Sequence, residues 1–541
     1  MNGYAQGLFE GLLFGTLFFL LGLSSDKAFP FALGFSLIGA GLARLLTLLK
    51  FPDRPVYTAV GVFLIILWGL TAGGRLEFVF GTLNGDIEMF FLSGVAMVTA
   101  ATYVLIYNSD VILALVTRIG GAFGTILPAV KTAVAYPLEN RFRTGMTLAM
   151  ISLVVFSLTM MSTMNFNFDR LFLSAESRGG WDVKIEENAN NHIADLDGAL
   201  RGAGSSAPDQ FRTEGRVSLG GGASSTEVRQ DPNAKFEDYP VVGADKGFLE
   251  NSSIPLDHRA RGYETDQAVW QDLLAGKDVA VIDSFAVRRG GFGDSPYDFK
   301  VTGIDENDKT FAPITLQVRD PLSRKSKQVQ VIGVTSLGAS TTFAGLYVPD
   351  SAFREVFGEP ELSNHFVGLK DQSKSKDVAR DIESTLLTAG VQAESIKAKV
   401  DEDQALSRNF FYLMQGFMSL GLLVGIAAVG VIAFRMVVER RQQIGMLRAI
   451  GYKRSTVALS FLLESSFVTL LAIFSGMVLA IWLSYFLLSA PDFPTNKNGY
   501  AIPWLQIIFF GVFTYVASLL MTFIPARQAA SIPTAEALRY E

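Results

Sequence analysis

The chain has 541 residues, of which 49% are hydrophobic, 12% aromatic and 18% charged, and its net charge is −6. A mean hydropathy of +0.31 exceeds what the cores of soluble domains require, so the composition indicates membrane segments. The absence of cysteine excludes disulfides, thiolate metal sites and cysteine nucleophiles. His192, His258 and His365 lie far apart and outside any metal-ligand spacing, so we expect no metal site. We also expect no nucleic-acid partner.

Long apolar runs occupy the first third and the last quarter of the chain, whereas residues from about 168 to 408 have the composition of a soluble domain. Since a helix needs about 20 mostly apolar residues to cross a bilayer, we predict eight spans, near residues 8–23, 29–49, 56–73, 89–107, 146–165, 410–434, 457–488 and 503–524. The first run contains Glu10 and lacks the basic segment and cleavage site of a signal peptide, so we predict a retained helix.

The predicted fold class is an α-helical membrane protein with about eight transmembrane helices and an α+β extracytoplasmic domain inserted between helices 5 and 6. The expected segments are a four-helix membrane bundle at 1–110, a cytoplasmic amphipathic linker and elbow at 111–145, a first core helix at 146–165, the extracytoplasmic domain at 166–409, and three further core helices with a C-terminal tail at 410–541. A charged cytoplasmic loop at 435–455 lies within the last segment.

Lysine and arginine in short loops predict the orientation, because basic loops near span ends stay cytoplasmic. With eight spans, the basic residues fall on one side: Lys50, Arg54, Arg141, Arg143, Arg435, Arg440, Arg441, Arg448, Lys453, Arg454, Arg527 and Arg539. Both termini are then cytoplasmic in a multi-pass protein of the cell membrane, and the domain at 166–409 is extracytoplasmic.

Within that domain, Val279–Ile282, Val329–Val334 and His365–Leu369 have the character of short strands, and Lys376–Ala389 has the periodicity of an amphipathic helix. The glycine-rich stretches Gly202–Ser225 and Arg289–Asp294 are predicted to be loops. The acidic residues Asp305, Glu306 and Asp308 lack the glycine and glutamate of a calcium loop, so we expect a solvated turn. No catalytic spacing is present, and we expect no enzyme activity in this chain.

The most informative motif follows the sixth predicted span and runs from Glu439 to Gly451 as Glu-Arg-Arg-Gln-Gln-Ile-Gly-Met-Leu-Arg-Ala-Ile-Gly. Ile444 and Leu447 share one face at helical spacing, and Gly451 is well placed to end a helix. We therefore expect a short amphipathic helix beside the cytoplasmic surface. On charge alone, a lipid-binding anchor is the simpler interpretation.

These residues resemble the signature loop of the FtsX-like, or MacB-type, ABC transporter permeases. Two further pieces agree in order: Phe461-Leu462-Leu463-Glu464 in the next span, and the closing segment from Pro525 to Glu541. The segment Tyr136–Thr144 is similar to the family's elbow into its first core helix. The resemblance covers about residues 130–541, with one span, a large outer domain and three more spans.

The resemblance implies that the loop rests on a separate ABC ATPase subunit and transmits its movement. The coupling residues implied are Glu439, Arg440, Arg441, Ile444, Gly445, Leu447, Arg448 and Gly451. The chain contains no Gly-x-x-x-x-Gly-Lys-Ser/Thr phosphate loop, so ATP and Mg are expected in the partner subunit and no cofactor in this chain. Membrane lipid and a second permease subunit, identical or different, are the other expected partners.

Glu464 is an acidic residue within a predicted span, where a lone charge is costly. We expect it to pair with the Arg440 region rather than to contact substrate. Spans one to four lie outside the simple four-helix pattern, and the chain resembles the rear half of a larger two-repeat member. A split subunit, a truncated product and a complete protein with an added bundle remain alternatives.

Two functions follow from the resemblance. In the first, ATP-driven movement exports or extracts a lipid, lipoprotein, peptide or amphipathic compound. In the second, the complex transports nothing and activates an extracellular partner such as a cell-wall hydrolase. The large outer domain favours transport.

Overall fold

The computed structural model describes residues 2–81, 83, 87–108, 111, 141–220, 226–287, 297–304, 309–360, 362–451, 453–489 and 499–531. The predicted loop at Arg289–Asp294, the acidic turn at 305–308, most of the linker at 111–145 and the tail beyond 531 lie outside these residues. The chain divides into two compact units. One contains residues 1–166, 410–490 and 501–541, and the other contains residues 167–409 and 491–500.

The first unit is helical. Its helices are α1 Asn2–Ser24, α2 Ala28–Leu48, α3 Asp53–Ala72, α4 Glu77–Phe80, α5 Ile87–Tyr107, α6 Arg141–Phe172, α14 Ala405–Glu439, α15 Arg441–Ala449, α16 Arg454–Leu488 and α17 Trp504–Ser531. Helices α7 to α13 belong to the second unit. Helices α6 and α14 each begin in one unit and end in the other.

Six helices in the described residues are long and apolar enough to cross a membrane: α2, α3, α6, α14, α16 and α17. They coincide with six of the eight predicted spans, and the chain is a multi-pass membrane protein. The predicted first and fourth spans fall on helices α1 and α5, whose described apolar parts are the shorter segments Gly11–Ser24 and Leu92–Tyr107. The count of eight therefore stays a prediction.

Polar side chains connect the helices inside the first unit. Ser152 on α6 shares a hydrogen bond of 2.9 Å with Ser475 on α16, and Thr469 shares one of 2.8 Å with Ser518 on α17. Such bonds are useful in lipid, where apolar contact alone gives little drive for association. Gly476 lets α6 approach, because a Cβ there would lie 2.5 Å from the Ser152 carbonyl oxygen.

The N-terminal bundle packs on the rest of the first unit through glycine. A Cβ at Gly69 of α3 would lie 2.8 Å from Nε1 of Trp482, and one at Gly73 would lie 3.1 Å from the carbonyl oxygen of Phe486. Both aromatic residues belong to α16. Small side chains at such positions let helices pack closely in a membrane.

The second unit is an α+β domain built on one mixed sheet. Its helices are α7 Leu196–Gly202, α8 Lys246–Asn251, α9 Asp266–Leu274, α10 Leu337–Ser340, α11 Asp350–Phe357, α12 Ser375–Thr385 and α13 Ile396–Asp403. Its strands are β1 Val183–Glu186, β2 Phe211–Leu219, β3 Glu227–Arg229, β4 Glu237–Asp238, β5 Val241–Ala244, β6 Leu256–Ala260, β7 Val279–Ile282, β8 Thr310–Phe311, β9 Ile314–Arg319, β10 Ser326–Thr335, β11 Leu346–Pro349, β12 Leu362–Leu369 and β13 Gln392–Ser395.

The strand order along the sheet is β13-β1-β12-β2-β5-β11-β7-β10-β9-β3-β4, and β6 pairs with β10 and β8. The pairs β5–β11, β7–β10 and β6–β8 are parallel, and the other described pairs are antiparallel. The predicted strands at 279–282, 329–334 and 365–369 are confirmed as β7 and as parts of β10 and β12. The predicted helix at 376–389 is α12 followed by the 3-10 turn Leu387–Ala389.

Two apolar cores support this sheet. The larger is centred on stacked aromatic rings, with the Trp181 and Phe248 ring centroids 5.3 Å apart and Phe248 5.8 Å from Tyr347. The smaller contains Val183 and Ile185 of β1 with Val378 and Ile382 of α12. The helical periodicity of α12 arises from this inward face.

The prediction that Gly202–Ser225 is a loop is wrong. Phe211–Leu219 forms β2, which pairs with β12 on one side and β5 on the other. Glycine and serine flank the strand and hide its pattern, although Val217 is 2% exposed and belongs to the larger core. Gly215 has a packing role, because a Cβ there would lie 2.5 Å from the backbone of Phe248.

A buried histidine on β12 lies between two carboxylates, one just after β1 and one on β2. Nε2 of His365 lies 2.5 Å from Oε1 of Glu187, and its Nδ1 lies 3.5 Å from Oε1 of Glu214. Burial alone would lower the pKa of His365, but hydrogen bonds and the charges of Glu187 and Glu214 outweigh it and raise the pKa to about 9. For Glu187, burial opposes ionisation, yet His365 and His192 together lower its pKa.

Candidate functional site

The predicted loop at 435–455 folds as the end of α14, the short helix α15 and the start of α16. Arg440 stands between α14 and α15 in a non-helical conformation, with φ −100° and ψ 12°. Gly451 follows α15 with φ +105°, a conformation that L side chains rarely adopt, which explains glycine at this turn. The predicted short helix is therefore confirmed, and its two ends are set by Arg440 and Gly451.

The base of α15 is attached to α16 by a buried ion pair. Arg440 donates from both terminal nitrogens to Glu464, over 2.8 and 3.0 Å. The two side chains are 11% and 7% exposed, and the Arg440 guanidinium also lies 5.5 Å from the Phe461 ring centroid. The predicted pairing of Glu464 with Arg440 is confirmed. Because two parallel hydrogen bonds join the guanidinium to the carboxylate, this pair is stronger and more specific in geometry than a pair with a single hydrogen bond.

A second set of ion pairs fixes the end of α14. Glu439 accepts a 2.7 Å hydrogen bond from Arg143 of α6 and another of 2.7 Å from Arg435, one helical turn earlier. Arg435 is close to Glu439 because of helical spacing, whereas Arg143 lies 296 positions away and is brought there by the packing of α6. The two sets of pairs join α6, α14, α15 and α16 at one end of the unit.

The inward face of α15 is apolar. Ile444 is 2% exposed and packs with Val437 of α14 and with Val457 and Phe461 of α16. Gly445 is also buried. Ile444 thus anchors the helix against its neighbours. The backbone of Arg441 and Leu447 lies in α15, and the structure does not describe their side chains.

The outward face of α15 consists of Gln442, Gln443, Met446, Ala449 and Ile450. Met446 is 49% exposed and Ile450 is 78% exposed. None of these five residues is among the coupling residues that the resemblance implies. The motif alone does not show which side of the helix is exposed, because that depends on how α14 and α16 pack against it.

A small cavity of about 60 Å³ adjoins the buried ion pair. Its lining includes Arg143, Glu464, Ser465, Thr469 and Thr522. A cavity of this size and polarity has room for ordered water, which needs about 10–15 Å³ and two to four polar partners. The buried Ser465 hydroxyl has no hydrogen-bond partner within the described residues and faces this group of polar side chains.

The sequence of this region matches the model of a known family. Residues 416–534, which contain α15 and both ion-pair acceptors, match the model for the FtsX-like permease C-terminal region. This C-terminal membrane segment is therefore similar to the C-terminal region of FtsX-like permeases. The FtsX-like and MacB-type resemblance of the loop motif is thereby confirmed.

Several relatives named as ABC transporter permeases are similar over longer segments. The permease MJ1507 of Methanocaldococcus jannaschii is 24% identical over 276 residues, which is 46% of this chain and 67% of that protein. The macrolide export ATP-binding/permease protein MacB of Agrobacterium fabrum is 24% identical over 430 residues, covering 77% of this chain and 61% of MacB. The permease YknZ of Bacillus subtilis is 26% identical over 226 residues, covering 39% of this chain and 54% of YknZ. The chain thus spans between about half and two thirds of the length of these three relatives.

Proposed function

We propose that this chain is the permease subunit of an ABC transporter complex whose ATP and Mg are bound by a separate ATPase subunit. The FtsX-like domain and the permease names of its relatives support the permease part. The lack of a phosphate-binding loop motif in the 541 residues supports the separate ATPase. In this proposal α15 is the surface that the ATPase contacts.

The observation that carries the proposal is the two-sided character of α15. Its inner face is fixed by Ile444 and the Arg440–Glu464 pair, whereas Met446 and Ile450 expose apolar surface. Exposed apolar side chains on a helix that is firmly held from behind are a good docking surface for another protein. A helix held this firmly moves as a rigid element together with the helices it is attached to.

The mechanism that we propose is mechanical transmission. Closure of two ATPases on ATP would displace α15, and the pairs Arg440–Glu464 and Arg143–Glu439 would pass that displacement to α16, α14 and α6. Helix α6 ends within the residues of the second unit, and helix α14 begins there. Transmission of a two-state motion by rigid helices is physically sufficient. Movement of the second unit, which the proposal places outside the cell, would export or extract a lipid, lipoprotein, peptide or amphipathic compound. The permease would act as a homodimer or with a second permease subunit.

The test is co-purification of the full chain with candidate ATPase subunits in detergent, followed by ATP hydrolysis assays. We expect Met446→Glu combined with Ile450→Glu to lose the ATPase, because two charges would be buried in an apolar contact. Leu322→Glu is the matched control, since Leu322 is 75% exposed in the second unit. Retention of the ATPase by the α15 variant, or its loss from the Leu322 variant as well, would contradict the assignment.

A further inference from the structure

The N-terminal bundle contains an open groove that the permease function does not use. It lies among α2, α3 and α5 and has a volume of about 820 Å³. Pockets that bind small molecules measure about 300–1,000 Å³. The groove exists because small residues line it, namely Ala40, Ala43, Gly61, Ala96 and Ala100.

The two ends of this groove differ in chemistry. Arg44 near the end of α2 and Asp53 at the start of α3 line one end, and Phe29, Leu33 and Trp68 line the other. Fifteen helical residues separate Phe29 from Arg44, which corresponds to about 22 Å at 1.5 Å per residue. One leaflet contributes about half of the roughly 30 Å hydrocarbon thickness. The groove is therefore long enough for a chain that spans one leaflet.

The serine and threonine hydroxyl groups in the middle of the groove are engaged within the protein. Ser36 donates to the carbonyl oxygen of Ala32 over 2.8 Å and accepts from Nε1 of Trp68 over 2.9 Å. Thr99 donates to the carbonyl oxygen of Val95 over 2.7 Å. An occupant of the middle of the groove therefore meets mainly hydrocarbon, where a polar molecule would lose its hydrogen bonds to water.

Three stacked tyrosines mark the charged end. The Tyr57 and Tyr107 ring centroids lie 4.4 Å apart at 16°, and Tyr103 lies 6.4 Å from Tyr57. Tyrosine is enriched where the hydrocarbon meets the headgroups. The charged end is thus at headgroup level, where the Arg44 guanidinium suits a phosphate and the Asp53 carboxylate suits an ammonium group.

We propose that this groove is a binding site for one phosphatidylethanolamine molecule. An acyl chain lies along the apolar part, the phosphate is at Arg44 and the primary ammonium is at Asp53. The pair of opposite charges in the lining matches the zwitterionic headgroup, whereas an anionic lipid would leave Asp53 without a cationic partner in the ligand. The site is independent of the ATPase contact at α15.

The test is native mass spectrometry of the full chain in detergent, titrated with phosphatidylethanolamine and with phosphatidylglycerol of the same acyl chains. We expect one phosphatidylethanolamine to bind at least about tenfold more tightly, the size expected for a charged hydrogen bond. Ala40→Phe combined with Ala96→Phe should abolish this binding by filling the groove. Asp53→Asn should remove the preference between the two lipids, and Arg44→Gln should weaken both.

The matched control is Ala59→Phe, an equal enlargement at an exposed position of α3 outside the groove lining. It should bind lipid as the native chain does. Equal binding by the filled variant, equal affinity for both lipids, or a lipid-free dimer in the same spectra would each overturn the proposal. The last result would show that a second copy covers the groove.

Discussion

At the scale of single residues, the Arg440–Glu464 pair is the contact on which the position of α15 depends most. Both groups are close to fully buried, so each stabilises the other's charge in surroundings with little solvent. Removal of one member of a buried pair typically costs about 3–5 kcal/mol, because the remaining charge has no partner. Removal of both costs much less.

We therefore predict that Arg440→Gln and Glu464→Gln each lower the unfolding midpoint of the protein in detergent strongly. The double variant should lose clearly less than the sum of the two single losses, since it leaves no buried charge unpaired. The measurement is a double-mutant cycle by thermal unfolding. Additive losses would show that the two side chains do not interact in solution.

The buried His365 gives a prediction about pH. Its pKa is about 9 in the folded protein and near 6.5 in a free side chain, so the folded state holds the proton more tightly. The resulting stabilisation is fully present below about pH 6.5 and is lost as the pH rises through about 9. The pKa of Glu187 is lowered in the folded protein, so the stability that this carboxylate contributes is lost as the pH falls through the acidic range.

We expect the unfolding midpoint of the native chain to fall between pH 6.5 and pH 9.5, and His365→Gln to reduce this fall. His192→Gln is the control, because His192 also contacts Glu187, at 3.3 Å, but its side chain is 50% exposed. Thermal unfolding at several pH values measures both. An unchanged pH profile in His365→Gln would refute the assignment.

At the scale of elements, the contact of α3 with α16 decides whether the N-terminal bundle stays attached. Gly69 leaves room for Trp482, and any side chain there collides with it. We predict that Gly69→Leu destabilises the first unit by about 1–3 kcal/mol, the usual cost of overpacking. The measurement is the unfolding midpoint in detergent.

Gly421→Leu is the matched control, because no atom lies within 4 Å of a Cβ at this position of α14. It should change stability little. Equal loss in both variants would mean that leucine disturbs these helices for reasons unrelated to the α3–α16 contact.

Elements with strong periodicity were predictable from the sequence, and those that depend on distant partners were not. The short helix α15 could be predicted from the spacing of Ile444 and Leu447 and from Gly451 at its end. These signals depend only on neighbouring residues in the sequence. Strand β2 was missed because its identity depends on pairing with β12, about 150 positions later, and because glycine-rich and serine-rich segments flank it. The exposed face of α15 was missed because exposure is decided by α14 and α16.

Of the two ion pairs at the 435–455 loop, the Arg440–Glu464 pair was predictable from the sequence and the Arg143–Glu439 pair was not. A lone acid in an apolar span needs a cation, and the basic loop that contains Arg440, 24 positions away, supplies one. Glu439 already has Arg435 one turn away, so its sequence gives no reason to expect a third group. The second pair depends on how α6 packs against α14.

At the scale of the whole molecule, the proposed orientation has a direct test, because the chain contains no cysteine. Leu322 in the second unit and Gln443 on α15 are both exposed. We predict that Leu322→Cys reacts with a membrane-impermeant maleimide in intact cells, and that Gln443→Cys reacts only after permeabilisation. The opposite pattern would reverse the assignment of sides, and labelling of both in intact cells would show that the membrane was not intact.

The most direct measurement of the central claim is photo-cross-linking from position 450, where Ile450 is 78% exposed. A photoreactive amino acid there, in the full chain and in cells, should form an adduct with a protein that carries the phosphate-binding loop Gly-x-x-x-x-Gly-Lys-Ser/Thr. The same amino acid at Leu322 should not form this adduct. Adducts from position 450 that contain only lipid would contradict the account, because α15 would then be a membrane anchor and not the surface that an ATPase contacts.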